Sequence, residues 1–144
     1  MANRRIVLVI RKDLELPVGL AMAQAAHLCD EWLRQRVLKA VDSPRPTPKD
    51  DDCPPVVNLY DHFAPDEIEW MESPTVSVLS VNTPEELEII RDEAKENGLP
   101  VHEWSDTIHS GVLDRFINAV PVGISIGPSE DDLIKPVTGK LPLY

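Results

Sequence analysis

The sequence has few cysteines and no long apolar run. Its 144 residues include two cysteines, Cys29 and Cys53, which form no Cys-x-x-Cys pair and have no flanking metal-ligand spacing. A disulfide between them stays open, but a reduced intracellular protein is the preferred interpretation. No apolar stretch approaches the roughly 20 residues that a membrane-spanning helix requires, and the apolar run 6–10 is too short for a signal peptide. We therefore expect a soluble protein of the cytoplasm.

Basic residues are also scarce. The chain has 14 Lys and Arg against 25 Asp and Glu, and its net charge of −11 argues mildly against a nucleic-acid partner, because phosphate contacts need a basic surface. The charge is uneven, since residues 4–12 carry Arg and Lys but no acid, and a local basic face remains compatible with it. The spacing of His62, His102 and His109 is not that of metal ligands, and the sequence predicts neither a metal site nor a cofactor.

The length and an ordinary globular composition predict a single domain over residues 1–144. The β-branched run 6–10 predicts a strand that is buried on both faces. From Gly19 to Ala40 the pattern is helical. One apolar stripe at i+3/i+4 spacing contains Met22, Ala26, Cys29, Leu33 and Val37, and it is widened by Ala21, Ala25, Leu28 and Trp32. Residues 42–55 are rich in proline and aspartate, and they predict a flexible internal loop rather than a domain boundary.

The second half of the chain predicts further strands and helices. A short helix is expected over 65–71 with Trp70 as its apolar anchor, and a strand over 76–81. Thr83 and Pro84 suit the cap and first turn of a helix whose capping box is completed by Glu86 and which ends at Gly98. Strands are expected over 101–104 and 122–126, with a loop or broken helix over 105–120 between them and a short helix over 131–134.

These elements predict an α/β fold, a three-layer α/β/α sandwich whose mixed four-stranded sheet has helices on both faces. The first three strands should pair in parallel and the fourth should be antiparallel. The ligand crevice of such a sheet lies beyond the carboxyl ends of its parallel strands. That edge should gather residues 11–20, residues 104–110 and Val122.

Three stretches of this sequence resemble the type II peptidyl-tRNA hydrolases. The first is Val-Ile-Arg-Lys-Asp-Leu at 9–14 followed by Gly-Leu-Ala-Met-Ala-Gln-Ala-Ala-His at 19–27, where the family has V-x-R-x-D-L and G-K-x-A-A-Q-x-x-H. The second is Trp70 ahead of a strand and then Pro-Glu-Glu-Leu at 84–87. The third is Ile-Gly-Pro at 126–128, Asp-Leu-Ile at 132–134, Val-Thr-Gly-Lys-Leu at 137–141 and Tyr144. Together they span nearly the whole chain in the right order.

The resemblance implies a mixed four-stranded α/β sandwich that hydrolyses the ester joining a peptide to the terminal ribose of tRNA. The implied partner is peptidyl-tRNA, and a homodimer is one expected assembly. In the family, the reaction is associated with a lysine, an aspartate and two threonines. The aspartate corresponds to Asp106 and the first threonine to Ser110, whereas the lysine falls on Leu20 and the second threonine on Val122. The intervening loop is about four residues longer than in the family.

The candidate catalytic residues are therefore Asp106, Ser110 and His27. Asp106 would position a water or act as a weak general base, although it could equally cap the following turn. The candidate substrate-binding residues are Gln24, Arg11, Lys12, Gly19, Leu20, His109 and Lys140. Gln24 and His27 lie three apart on one helical face, so they would line the crevice or, alternatively, satisfy backbone groups under the helix.

His109 stands where the family has an arginine, and it is either an acid/base group or a solvated loop residue. Arg11, Lys12 and Lys140 would bind phosphate only if they converge. Because leucine cannot stabilise an oxyanion, two hypotheses remain: a peptidyl-tRNA hydrolase, or a silent family member that binds RNA or protein. Hydrolysis of another small ester or amide is a weaker third hypothesis.

Overall fold

The computed structural model describes residues 3–42, 59–110 and 113–144. Short 3-10 turns span Lys12–Leu14 and Leu59–His62. In chain order, the helices and strands are β1 Arg4–Arg11, α1 Val18–Asp42, α2 Pro65–Glu72, β2 Val76–Val81, α3 Pro84–Glu96, β3 Val101–Ser110, β4 Arg115–Glu130 and α4 Asp131–Thr138. The predicted flexible loop lies outside the described residues, apart from Asp42 at the end of α1, and so does Cys53.

The four strands form one mixed sheet in the order β2-β1-β4-β3. Strands β1 and β2 are parallel, and β4 is antiparallel to both of its neighbours. The mixed sheet and the antiparallel fourth strand are confirmed, but the expected pairing of the first three strands is wrong. Strand β3 lies on the far side of β4 because the two strands, which follow each other in sequence, pair as a hairpin.

The predicted loop or broken helix over 105–120 is instead most of this hairpin. Strand β3 continues from Val101 to Ser110, and β4 begins at Arg115, well before the predicted start at residue 122. Pro121 pairs with Ser105 directly beside a register shift between Trp104 and Ser105, and such irregularities are where a strand accommodates proline.

The sheet separates two helical layers, as the three-layer prediction required. Side chains alternate along β1, so that Ile6, Leu8 and Ile10 pack with α1 and α2 while Val7 and Val9 pack with α3 and α4. Among the described residues, no helix is both long enough and apolar enough to cross a membrane.

Helix α1 buries residues from the widened edge of the predicted stripe rather than from its centre. Ala21, Gln24, Leu28 and Trp32 face the sheet, whereas Met22 is 69% exposed. Apolar residues occur around much of the helix, so spacing alone could not identify the inner face. The inner face includes the polar residue Gln24 because its side chain hydrogen-bonds to Asp106 on β3.

Candidate active site

Strands β3 and β4 continue past the carboxyl ends of β1 and β2. Near the end of β1, Ile10 pairs with Gly123 of β4, and Gly123 pairs in turn with Trp104 of β3. Residues 105–110 and 115–121 therefore form a two-stranded ribbon that projects beyond the sheet edge where the crevice was predicted. Asp106 lies at the base of this ribbon and contacts the N-terminal half of α1 through Gln24.

A chain of hydrogen bonds joins Trp104, Gln24 and Asp106, and we call these three residues the Trp104–Gln24–Asp106 cluster. The indole Nε1 of Trp104 donates to Oε1 of Gln24 at 2.9 Å. The amide Nε2 of Gln24 donates to Oδ2 of Asp106 at 2.8 Å. The other carboxylate oxygen, Oδ1, accepts from the backbone N–H of Thr107 at 2.7 Å. Gln24 is 1% exposed while Asp106 is half-buried, so the carboxylate is fixed from the inside and open to water on the outside.

These contacts keep Asp106 ionised. The pKa of its carboxyl group lies below the ordinary value, first because Gln24 donates a hydrogen bond to it and next because the Thr107 backbone does. Partial burial acts in the opposite direction, and positive charge on His27 lowers the pKa slightly further. A carboxylate of this kind orients a water molecule well but is a weak base at neutral pH.

His27 completes the edge of the cluster. It lies one turn after Gln24 in α1, and its ring stacks on Trp104 with 4.5 Å between ring centroids and 19° between ring planes. The structure therefore brings Gln24 and His27, predicted on one helix face, together with Asp106, which was predicted in the loop after the third strand and lies on β3.

The β3–β4 pairing contains a β-bulge next to Asp106. Asp106 pairs with Val120 but Ile108 pairs with Ile117, so that Thr107 faces two residues of β4. One of them is Ala119, whose φ of +55° is in the left-handed region. A non-glycine residue there costs about 1–2 kcal/mol, and it is held in place by the surrounding strands.

Gly19 and Leu20 occupy the first turn of α1. Leu20 lies four residues before Gln24 and therefore on the same helix face, with 37% of its surface exposed. A Cβ atom added at Gly19 would meet nothing within 4 Å. Leu20 thus borders the cluster, where the family resemblance places a lysine.

Val122 does not line the crevice, contrary to the expectation from its alignment with a family threonine. It is fully buried in the core with Leu28 and Ile108. The reason is that Val122 lies in the middle of β4, not at its start, and at a register shift that leaves it without a partner on β3.

The three basic candidates do not form one phosphate site. Arg11 is 8% exposed, and its guanidinium group donates to Asp13 at 2.7 Å and to the carbonyl oxygen of Pro121 at 3.0 Å. It therefore joins β1 to the ribbon. Lys12 is exposed in the turn after β1. Lys140 lies 4.0 Å from Glu93 near the far end of α3, in the opposite helical layer.

His109 and Ser110 lie in the outer part of the ribbon. His109 is 3.5 Å from Asp114 and has an edge contact with Phe116, with 5.1 Å between ring centroids. Side chains alternate along a strand, so His109 faces away from the side that carries Asp106. Ser110 ends β3, and its side chain lies outside what the structure describes.

Trp104 is the member of the cluster that the sequence did not predict as a site residue. Its two-residue spacing from Asp106 puts both side chains on one face of a strand, but 105–120 had been predicted as a loop. Within the described parts of the chain, no group of three His, Cys, Asp or Glu side chains is placed to hold a metal ion.

Comparison with known proteins gives a consistent result. Residues 4–144 match the family described as peptidyl-tRNA hydrolase PTH2. A peptidyl-tRNA hydrolase of Methanocaldococcus jannaschii is 29% identical over 140 residues, which is 96% of this chain and 98% of that protein. A peptidyl-tRNA hydrolase of Pyrobaculum aerophilum is 28% identical over 141 residues, 97% of each chain.

One solved structure has the same fold at much lower sequence similarity. It is a protein of unknown function from Agrobacterium tumefaciens strain C58, with a TM-score of 0.55 and 15% identity over 100% of this chain and 99% of that one. At this level the likeness concerns the fold alone.

Proposed function

This chain belongs to the peptidyl-tRNA hydrolase PTH2 family, and we propose that it hydrolyses the ester between a peptide and the terminal ribose of tRNA at the Trp104–Gln24–Asp106 cluster. The observation that carries the site is the carboxylate of Asp106. It is held by Gln24 and by the Thr107 backbone at the sheet edge, and part of its surface remains open to water.

The reaction requires a water oxygen to form a bond to the ester carbonyl carbon. Asp106 accepts a hydrogen bond from that water and orients it, and the water proton passes to the carboxylate or to solvent. When the tetrahedral intermediate collapses, the ribose oxygen leaves and takes up a proton, so that the products are a free peptide acid and a tRNA with its hydroxyl restored. In this proposal His27, which stacks on Trp104 at the edge of the cluster, supplies that proton.

Leu20 limits the rate in this proposal. The developing oxyanion needs a positive or hydrogen-bonding group, and leucine provides neither. The family's lysine would stand one helical turn before Gln24, on the face that carries the cluster. We therefore expect slow turnover.

The test is to incubate the purified protein with an N-blocked aminoacyl-tRNA and to separate charged from free tRNA on an acid gel. The proposal predicts release of free tRNA at a rate proportional to enzyme concentration. Release no faster than the uncatalysed reaction, even with enzyme in excess over tRNA, would contradict it.

A second candidate function is a silent family member that binds RNA or protein, and Leu20 is the observation that favours it. Replacing Leu20 by lysine separates the two candidates. If the native protein is a slow enzyme, Leu20→Lys should raise its single-turnover rate by about tenfold or more, because one oxyanion-stabilising donor is restored. If only the variant is active, the native protein is catalytically silent although its fold can support the reaction.

Val18→Lys is the matched control for that substitution. Val18 is 80% exposed in the same first turn of α1, but it points away from the face that carries Leu20 and Gln24. It adds the same charge to the same protein, so an equal gain from both variants would mean that charge alone attracts tRNA.

The homodimer implied by the family resemblance and the cytoplasmic location expected from the composition belong to the same proposal. Sedimentation equilibrium of the purified chain measures the assembly directly, and a mass of 16.1 kDa at all concentrations would rule out the dimer. Fractionation of cells that express the chain tests the location.

A further inference from the structure

Trp104 makes a hydrogen bond that the proposed reaction does not itself require. An indole N–H is a donor only, and an ionised carboxylate is an acceptor only. Between them lies the amide of Gln24, which has a donor end and an acceptor end. With Trp104 at 2.9 Å on one side and Asp106 at 2.8 Å on the other, only one orientation of this amide satisfies both neighbours.

The opposite orientation is costly on both sides. It would point the amide oxygen of Gln24 at the carboxylate of Asp106 and the amide nitrogen at the indole N–H. Because Gln24 is 1% exposed, water cannot compensate for the two lost hydrogen bonds. The indole of Trp104 therefore selects which end of the amide Asp106 meets.

The ring of Trp104 also holds His27. The two rings stack at 4.5 Å with 19° between their planes, and His27 is on the same helix face as Gln24. One side chain on β3 thus orients two side chains on α1, and both act on the same carboxylate.

We propose that Trp104 is a positioning residue that fixes the Gln24 amide and the His27 ring, and through them the orientation of the Asp106 carboxylate toward the attacking water. The inference rests on the proposed function only for its effect on the rate. Its effect on Asp106 is a property of the folded protein, and it is measurable without any substrate.

The decisive substitution is Trp104→Phe, which keeps an aromatic ring against His27 and removes the N–H donor. Carboxyl titration by NMR should show the pKa of Asp106 rising in this variant, because the Gln24 amide is no longer fixed. The acid limb of the kcat profile should move to higher pH. At neutral pH kcat should fall about fivefold, the factor that one neutral hydrogen bond contributes, with KM changed by less than about twofold.

Trp70→Phe is the matched control. Trp70 is 8% exposed, and its Nε1 donates at 3.0 Å to the carbonyl oxygen of Thr75, between α2 and β2 and outside the chain of hydrogen bonds that holds Asp106. This variant loses an indole hydrogen bond of the same kind as Trp104→Phe does. It should therefore lower the free energy of unfolding by a similar amount and leave both the pKa of Asp106 and kcat unchanged.

Gln24→Met provides a second, independent measurement. It removes the amide through which Trp104 acts, so adding Trp104→Phe to it should change the pKa of Asp106 no further. The proposal is overturned if the pKa of Asp106 is the same in Trp104→Phe as in Trp70→Phe. It is also overturned if the double variant shifts this pKa by the sum of the shifts in Gln24→Met and Trp104→Phe. A raised pKa in Trp104→Phe from a protein without hydrolase activity would support the positioning role and refute the proposed function.

Discussion

At the scale of single residues, His102 illustrates how burial changes an ionisable group. It lies on the α1-facing side of β3, and its Nδ1 is buried without a hydrogen-bond partner in the described structure. Burial is the largest effect on its pKa, which lies below the ordinary value. Glu31 and Glu67 act to raise it and Arg36 to lower it. His102 is therefore held neutral under conditions in which the unfolded chain would be protonated there.

This makes the stability of the protein depend on pH in a defined direction. The folded state has the lower pKa, so the unfolded state binds more protons once the pH falls below about 6.5. The free energy of unfolding should therefore be constant with respect to His102 above that pH and should decrease as the pH falls from there to the folded-state pKa. His102→Gln should flatten this part of the curve in urea denaturation between pH 7.5 and 5. Equal slopes for the variant and the parent would exclude His102 as the cause.

Single residues of the candidate site were predictable only where a motif named them. Asp106, Gln24 and His27 were found because the family resemblance places an aspartate after the third strand and the glutamine and histidine on one helix face. Trp104 belongs to no motif of the resemblance, and its role depends on the amide orientation of a residue 80 positions away. Val122 was misplaced for a similar reason: its burial depends on Leu28 and Ile108, which only the folded chain brings to it.

At the scale of elements, α3 was predictable because its ends are set by local chemistry. The Thr83 hydroxyl accepts from the backbone N–H of Glu86 at 3.1 Å, Pro84 occupies the first turn, and Gly98 follows the helix with a φ of +71°. The carboxylate of Glu86 accepts from the N–H of Asn82 at 2.7 Å, one residue before the position that a capping box uses. The β3–β4 ribbon lacked such signals, because its strands depend on each other and on two register shifts.

Gly123 is required where β4 meets both β1 and α1. A Cβ atom there would lie 2.4 Å from the carbonyl oxygen of Val9 and 2.9 Å from Cδ1 of Leu28. Gly123→Ala should therefore lower the free energy of unfolding by about 1–3 kcal/mol, since neither the β1 backbone nor the buried leucine can move freely.

Gly19→Ala is the control for that prediction and should have the opposite sign. The space around Gly19 is open and the residue is helical, so alanine should stabilise the protein by about 0.5–1 kcal/mol. Chemical denaturation of both variants measures the difference. A Gly123→Ala protein as stable as the parent would mean that the contact between α1 and β4 is looser than described.

At the scale of the whole molecule, pairing with acids neutralises much of the basic stretch over 4–12. Arg4 contacts Glu69 and Glu130, Arg5 donates to Asp131 at 2.8 Å, and Arg11 donates to Asp13. These contacts fasten β1 to α2, α4 and the turn after β1. The local basic face that the sequence allowed is thus largely used within the fold, and with a net charge of −11 the protein is unsuited to long contacts with a phosphate backbone.

The three-layer architecture and the ends of most elements could be predicted from the spacing of apolar residues and from capping residues. The strand order did not, because the pattern of strand–helix–strand units is the same whether β3 adds to the parallel strands or folds back on β4. The site depends on that difference: only the projecting hairpin carries Asp106 past the sheet edge to meet Gln24.

The central claim is that Asp106 is the carboxylate that serves ester hydrolysis, and the most direct test is the single-turnover rate of Asp106→Asn on N-blocked aminoacyl-tRNA. The substitution keeps the shape of the side chain and removes its charge. Asp92→Asn serves as the control, because Asp92 is an exposed aspartate of α3 in the opposite layer. We predict a loss of about 100-fold or more for Asp106→Asn and no loss for Asp92→Asn. Equal rates for the parent and both variants would contradict the account.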